Sequence, residues 1–271
     1  MTELPFTKLH GAENDFIISW ADQSPQTDWP EIARRICART TGIGADGWML
    51  AWKESGGLRT RLFNSDGSEA EISGNGTRCA AAFLIAHKLA GSEMEIATGA
   101  GRKQIKLLSR QGLTFSFEMN MGRPRVIERY FSLPLASGAR DVTLIDCGNP
   151  QCAVPVEDFD FDWAAMGAEI ERHPHFPNRT NVSFVRQLGA HSIDVRFFER
   201  GAGVTRSSGT GSTGAAACAV ARGFASSPVQ VVTPAGPLEI VLRGDYFLRG
   251  PVVLVAHGTF NFESPNYHSD G

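Results

Sequence analysis

Two short stretches hold most of the chemistry this chain can do. Residues 63–83 read FNSDGSEAEISGNGTRCAAAF and residues 198–218 read FERGAGVTRSSGTGSTGAAAC. They align without a gap at an offset of 135 (208 − 73), which sets Ser73 over Ser208, Gly74 over Gly209, Asn75 over Thr210 and Asn64 over Glu199. Each is a run of glycines and small hydroxyls ahead of an alanine-rich segment. A loop of this kind feeds a helix N-terminus, where unpaired N–H groups and the positive end of the dipole receive an anion. Serine there can cap the helix, bind the anion or move a proton, and the loop alone leaves all three open. The same offset carries Asn14 onto Asn149 and Asp46 onto Asn181. One match between two Gly/Ala-rich loops is weak, but several polar positions in one register indicate an internal duplication.

A duplicated anion loop has a chemical use. A carboxylate held by Gly74 and Asn75 from one half and by Gly209 and Thr210 from the other is stabilised by both dipoles. Ser73 and Ser208 then flank it on opposite faces, as wanted by a reaction that removes a proton from one face of a carbon and returns it on the other. Other anion motifs fail. There is no GxxxxGK[ST], and although Gly209, Gly211 and Gly214 satisfy GxGxxG, no clear strand enters that loop and the next acidic residue, Glu239, follows three prolines.

The elements that must hold these loops follow from hydrophobic pattern. GRKQIKLLSRQGLTFSFEMN, HSIDVRFFE, VQVVT and LEIVLRG read as antiparallel strands joined by glycine turns. RCAAAFLIAHKLA and GAAACAVARGF are helical but too apolar for a surface. The expected fold is α/β (α+β) with two pseudo-symmetric halves, each a mixed or antiparallel sheet or partial barrel around a central helix. The halves are placed at 1–125 and 126–260, with GRPRVIERYFSLPLASGARD as crossover and 261–271 as a tail. Phe6, Phe16, Phe63 and Phe198 read as core.

Composition narrows the class. The 271 residues suffice for a full core, and 42% hydrophobic and 20% charged residues are globular values. A net charge of −3 without a basic run gives no footprint for nucleic acid, so the expected partners are small molecules. No stretch reaches the roughly 18–20 apolar residues of a membrane span, and the N-terminus lacks a secretory pattern, so no membrane role and a cytoplasmic location are expected. Five scattered cysteines without a CxxC pair, and seven histidines without ligand spacing, indicate neither a disulfide framework nor a metal site.

LHGAENDFI, FNSDGSEAEISGNGTRCAAAF, GNPQCAV, RTNVSFV and FFERGAGVTRSSGTGSTGAAA, in that order, resemble the diaminopimelate epimerase family, a group of cofactor-independent amino-acid racemases and epimerases. The resemblance implies two similar halves, a homodimer, no pyridoxal phosphate or metal, an amino-acid or dicarboxylate substrate, and two cysteines as base and acid. It assigns the substrate's polar ends to Asn14, Asn64, Asn149, Asn181, Glu199 and Arg200, and the carboxylate at the reacting centre to Gly74, Asn75, Gly209 and Thr210. The chain departs from the family pattern at four places: both cysteine positions are serine (Ser73, Ser208), the histidine after GNP is Gln151, and the glutamine after GIGAD is Gly47.

Those departures strike at the chemistry. A free thiol ionises near ~8.5, lower at a helix N-terminus, whereas an aliphatic hydroxyl is closer to water at ~15.7. The gap of roughly 7 units is about 10 kcal/mol, and a helix dipole contributes at most about 2 kcal/mol. Serine therefore cannot replace the thiol by simple ionisation. As caps, Ser73 and Ser208 are each worth about 1 kcal/mol without any catalysis, and asparagine beside glycine or proline is equally at home in a turn. Asp46 and Glu199 are the candidate general bases. Three functions stay open: inversion of an amino-acid α-carbon of the LL- to meso-diaminopimelate type, in lysine and peptidoglycan biosynthesis; a carboxylate-dependent isomerase of another small acid; and a non-catalytic amino-acid-binding relative. Gln151 and Gly47 point to divergence rather than a replacement confined to the two cysteines.

Overall fold

Alternating β-branched and aromatic runs become strands along most of the chain, and the two alanine-rich runs become helices. The computed structural model describes residues 2–25 and 28–262, so the expected tail lies outside the described residues from 263 on. By contacts the chain divides into two units, one with residues up to 104, 110–115 and from 252, the other with 105–109 and 116–251. This is not a single cut near residue 125, because the last strand begins in the second unit and ends in the first.

In the first unit, β1 (Thr2–Gly11) is antiparallel to β2 (Asn14–Trp20), and β2 is parallel to β3 (Gly47–Glu54). Next, β3 is antiparallel to β4 (Gly57–Asn64), which carries the short β5 (Glu69–Ala70) on one edge and β6 (Glu93–Thr98), in parallel, on the other. Helix α1 (Trp29–Cys37) makes the crossover from β2 to β3, and α2 (Gly74–Ala86) that from β4 to β6. Strands β7 (Gly101–Gln111) and β8 (Thr114–Asn120) have residues in both units.

The second unit repeats the order. After β9 (Arg125–Leu133), β10 (Arg140–Asp146) is antiparallel to β11 (Pro150–Val156), and β11 is parallel to β12 (Asn181–Gly189) across α3 (Trp163–Glu171). Strand β12 is antiparallel to β13 (Ser192–Glu199), which bears the short β14 (Gly203–Thr205) and is parallel to β15 (Val229–Thr233) across α4 (Gly209–Arg222). Antiparallel β16 (Gly236–Arg243) and β17 (Asp245–Phe262) follow, and the end of β17 pairs with β1. Helix α4 touches β9 to β13, β15 and β16, so the sheet wraps around it, while α2 touches β1, β2, β4 and β6.

Three expectations are corrected. The crossover segment at 122–141 contains β9, antiparallel to β10, because VIERYFSL carries the β-forming residues. HSIDVRFFE and VQVVT form β13 and β15, which pair in parallel with each other, because a helical crossover between two strands returns the chain in the same direction. The offset of 135 also slips at one point. Gly47 pairs in parallel with Phe16, and Asn181 pairs in parallel with Gln151, the counterpart of Phe16 at that offset, so Asn181 corresponds to Gly47 rather than Asp46.

Strand alternation decides what faces each buried helix, since successive side chains point to opposite faces. Trp48 and Phe63 pack with Ile32, Ala33 and Ile36 of α1, while the neighbouring Met49 lies beside Gly76 of α2. In β13, Phe197 lies against Gly211 of α4 and Phe198 against Gly167 of α3. Glu199 follows on the α4 side. The outer layer contributes stability of ordinary size: Phe184, fully buried with Trp163 and Phe161 edge-on to it, is expected to cost about 3–5 kcal/mol as Phe184→Ala, read as a shift in denaturant midpoint at unchanged slope.

Candidate active site

The two loops cap their helices in the same way. Ser73 (φ −126°, ψ 124°) and Ser208 (φ −141°, ψ 127°) are extended N-caps. Their hydroxyls accept from Gly76 N and Gly211 N at 3.1 Å each, so the capping role of the serines holds in both halves. Glycine is required at the third helical position of α4, where a Cβ would lie 2.8 Å from the Phe197 ring.

The loops differ in what receives the serine proton. Ser208 Oγ donates to Glu199 Oε1 at 2.6 Å, a short bond of the kind that a carboxylate acceptor makes. Strand alternation brings Glu199 to this side, and the turn through β14 returns the chain to Ser208. Burial pushes the Glu199 carboxyl above the usual carboxylate range. Among the described residues Ser73 has no such partner: Asn64, the counterpart of Glu199, is exposed in a turn where its Nδ2 donates to Ser68 Oγ at 3.0 Å and its backbone carbonyl accepts from Gly67 N at 2.9 Å.

The remaining polar residues hold one another. In the second unit, Asn149 Nδ2 donates to Thr210 Oγ1 at 3.4 Å, and Gln151 Nε2 donates to Asn149 Oδ1 at 2.8 Å, while the buried Gln151 Oε1 has no partner among the described residues. Asn181 accepts from Arg200 N at 3.1 Å and donates to Pro150 O at 3.1 Å, fixing the turn after β13. Buried Glu171 binds Gly201 N at 3.2 Å and the Arg179 guanidinium, which pins the next residue of that turn. Arg200 donates to Asn178 O at 3.2 Å, and with Asn149, Asp146 and Arg179 it lines a groove of about 770 Å³.

In the first unit, Asp46 accepts from Asn14 Nδ2 at 2.7 Å, Asp15 N at 3.2 Å and Arg39 at 2.7 Å. It therefore sits in an ion-paired network that holds Asn14. Asn75 Nδ2 donates to Asn14 Oδ1 at 3.3 Å, and Arg78 donates to Asn75 Oδ1 at 2.6 Å. Sequence reasoning does not single out Arg78. Its only signal there is a lone cation inside GNGTRCAAAF, a segment too apolar for the surface. Asn14, Asn75 and Asp46 come together, while Asn64 stays in its own turn.

The profile described as "Diaminopimelate epimerase" matches residues 6–127 and 143–255. The diaminopimelate epimerase of Moorella thermoacetica is 37% identical, with 94% of this chain and 98% of the relative covered. That of Synechococcus elongatus is 38% identical, with the same shares covered. Among solved structures, a hydroxyproline epimerase from Agrobacterium vitis superposes with a TM-score of 0.74 at 15% identity, covering 97% of this chain and 94% of that one. A phenazine biosynthesis protein of the PhzF family from Bacillus anthracis does so with a TM-score of 0.70 at 16% identity, covering 96% and 99%. These likenesses extend over nearly the whole chain and include both capped loops, so the chain belongs to the diaminopimelate epimerase family and is an isomerase of the epimerase type.

Proposed function

We propose that the chain inverts an α-carbon of a diamino dicarboxylate of the diaminopimelate type, the compound for which its relatives are named. The observation that carries the mechanism is the 2.6 Å bond from Ser208 Oγ to Glu199. A hydroxyl that hands its proton to a carboxylate as it takes one from carbon need never become a free alkoxide. The substrate α-proton passes to Ser208 Oγ, the Ser208 proton passes to Glu199, and the C–H electron pair stays on the substrate, delocalised into its carboxylate. Glu199 is the net base, and its raised pKa makes it a better one at neutral pH. On the opposite face Ser73, the more exposed serine, passes its proton to the carbon as it takes one from solvent, and Glu199 gives its proton up to solvent before the next turnover.

In this reading Gly74, Asn75, Gly209 and Thr210 receive the reacting carboxylate, and Asn14, Asn64, Asn149, Asn181 and Arg200 hold the polar ends. Asp46 positions Asn14 rather than acting as a base, because three donors already occupy it. The family resemblance supports a cytoplasmic homodimer working without metal or pyridoxal phosphate. No helix among the described residues is long and apolar enough to cross a membrane.

Incubation in deuterated water with LL- and meso-diaminopimelate, followed by mass spectrometry and separation of isomers, tests the proposal. Deuterium at one α-carbon with interconversion of isomers is expected. Binding by calorimetry without exchange would leave a binding protein, and neither binding nor exchange would remove this substrate. Asn149→Ala is expected to weaken diaminopimelate binding by about 1–3 kcal/mol, since it removes a partner of the buried Gln151 and of the half-buried Thr210. Unchanged affinity with lowered stability would return Asn149 to a turn role.

A further inference from the structure

Arg78 is fully buried, and no carboxylate among the described residues pairs with it. Its guanidinium donates to Gly74 O at 3.2 Å and Asn75 Oδ1 at 2.6 Å, and its Nε, also buried, has no partner among the described residues. Burial lowers its pKa to about 10, so it remains a cation at neutral pH. A buried charge is ordinarily paired with its opposite. This one is unpaired and also stands at the positive end of a helix, where the dipole opposes a cation.

The fold itself does not need a cation there. The corresponding residue of the second half is Thr213 (78 + 135), whose hydroxyl donates to Gly209 O at 2.9 Å just as Arg78 donates to Gly74 O. A neutral side chain thus completes the equivalent turn. The charge at Arg78 is an addition, and both of its bonds lead back to Gly74 and Asn75.

We infer that Arg78 is the buried counter-charge of the Gly74–Asn75 loop, a positioning residue that makes this loop select an ionised carboxylate and favour the extra negative charge which develops when the α-proton leaves. The inference rests on the reading that this loop receives the reacting carboxylate. It acts through Asn75. By donating to Asn75 Oδ1, the guanidinium fixes the amide orientation, so that Asn75 offers N–H groups rather than its carbonyl on the other side, and it polarises those N–H groups. Asp46 closes the chain at the far end by accepting from Asn14. A donor-only group and an acceptor-only group therefore set the direction of every bond in the series from Arg78 through Asn75 and Asn14 to Asp46.

The test compares diaminopimelate with its monoamide, in which one α-carboxylate is a neutral carboxamide, by calorimetry on the full chain and on Arg78→Met and Arg78→Lys. Wild-type protein is expected to prefer the acid. Arg78→Met should lose about 10–100-fold in affinity for the acid, the range for a hydrogen bond to a charged group, with little change for the amide. Its thermal midpoint should not fall, because an unpaired buried charge has been removed. Arg78→Lys should keep the preference for the acid, and it decides the matter if the methionine variant does not fold: a lysine variant without preference overturns the inference. So does Arg78→Met with the wild-type acid-to-amide ratio, or with equal losses for both ligands and a lowered midpoint, which is a structural role. Should wild-type protein itself not distinguish acid from amide, the carboxylate reading of the loop fails and the inference falls with it.

Discussion

Glu199→Gln lowers exchange of the substrate α-proton with deuterated water by about 10²–10⁴-fold, the contribution typical of one positioned acid–base group. Glutamine keeps the size of the side chain and can still accept from Ser208, so the cap and the loop survive while the proton acceptor is lost. The pH dependence separates this from a structural effect. Exchange by wild-type protein should rise with pH as Glu199 ionises, through a pKa above that of a free glutamate, and Glu199→Gln should remove that rise. Stability should move the other way. Because the folded pKa is raised, Glu199 favours the folded state fully below its unfolded pKa, and this contribution is lost as pH rises through the folded pKa. At neutral pH the glutamine variant is therefore expected to be at least as stable as the original in denaturant titration. Exchange within about threefold of wild type would exclude Glu199 as the net base, since a general-base contribution begins near 10².

The parts of this arrangement that can be read from the sequence are those set by local pattern. Glycines and hydroxyls ahead of an alanine run specify a capped, buried helix wherever they occur, which is why both loops and their serine caps are legible. The adjacent phenylalanines at 197 and 198 read as a strand by alternation. What escapes depends on contacts between segments. Nothing in FERGAGVTRSS states that Glu199 reaches Ser208 across the turn through β14, or that its counterpart Asn64 turns to Ser68 instead. The slip that moves Asn181 from Asp46 to Gly47 is a one-residue change in a ladder, invisible until strands are paired. Strand β9 reads as a linker because an exposed strand lacks the apolar face that marks a buried one. Arg78 shows the limit most clearly. In sequence a cation in an apolar helix is an interruption of the pattern, and only its burial without a counter-ion gives it meaning.

Replacing the serines by cysteine should restore a far better base, and the two sites should not respond alike. A thiol is about 7 pKa units more accessible than an aliphatic hydroxyl, so Ser73→Cys with Ser208→Cys is expected to raise α-proton exchange most strongly of all. Taken singly, Ser73→Cys should do more than Ser208→Cys. At position 73 the new thiol caps a helix whose first turn is bonded by the Arg78 guanidinium at Gly74 O and Asn75 Oδ1, and no carboxylate among the described residues is bonded to the hydroxyl it replaces; a helix N-terminus and a cation in its first turn both favour thiolate. At position 208 the thiol replaces a hydroxyl bonded to Glu199, and once that carboxylate is ionised a second negative charge beside it is opposed. Alkylation rates with iodoacetamide across pH should place the pKa of the thiol introduced at position 73 below that of the thiol introduced at position 208, and deuterium uptake should follow the same order. A larger gain from Ser208→Cys would mean that Glu199 is not a charged neighbour at working pH, and the assignment of Glu199 as proton acceptor for Ser208 would go with it.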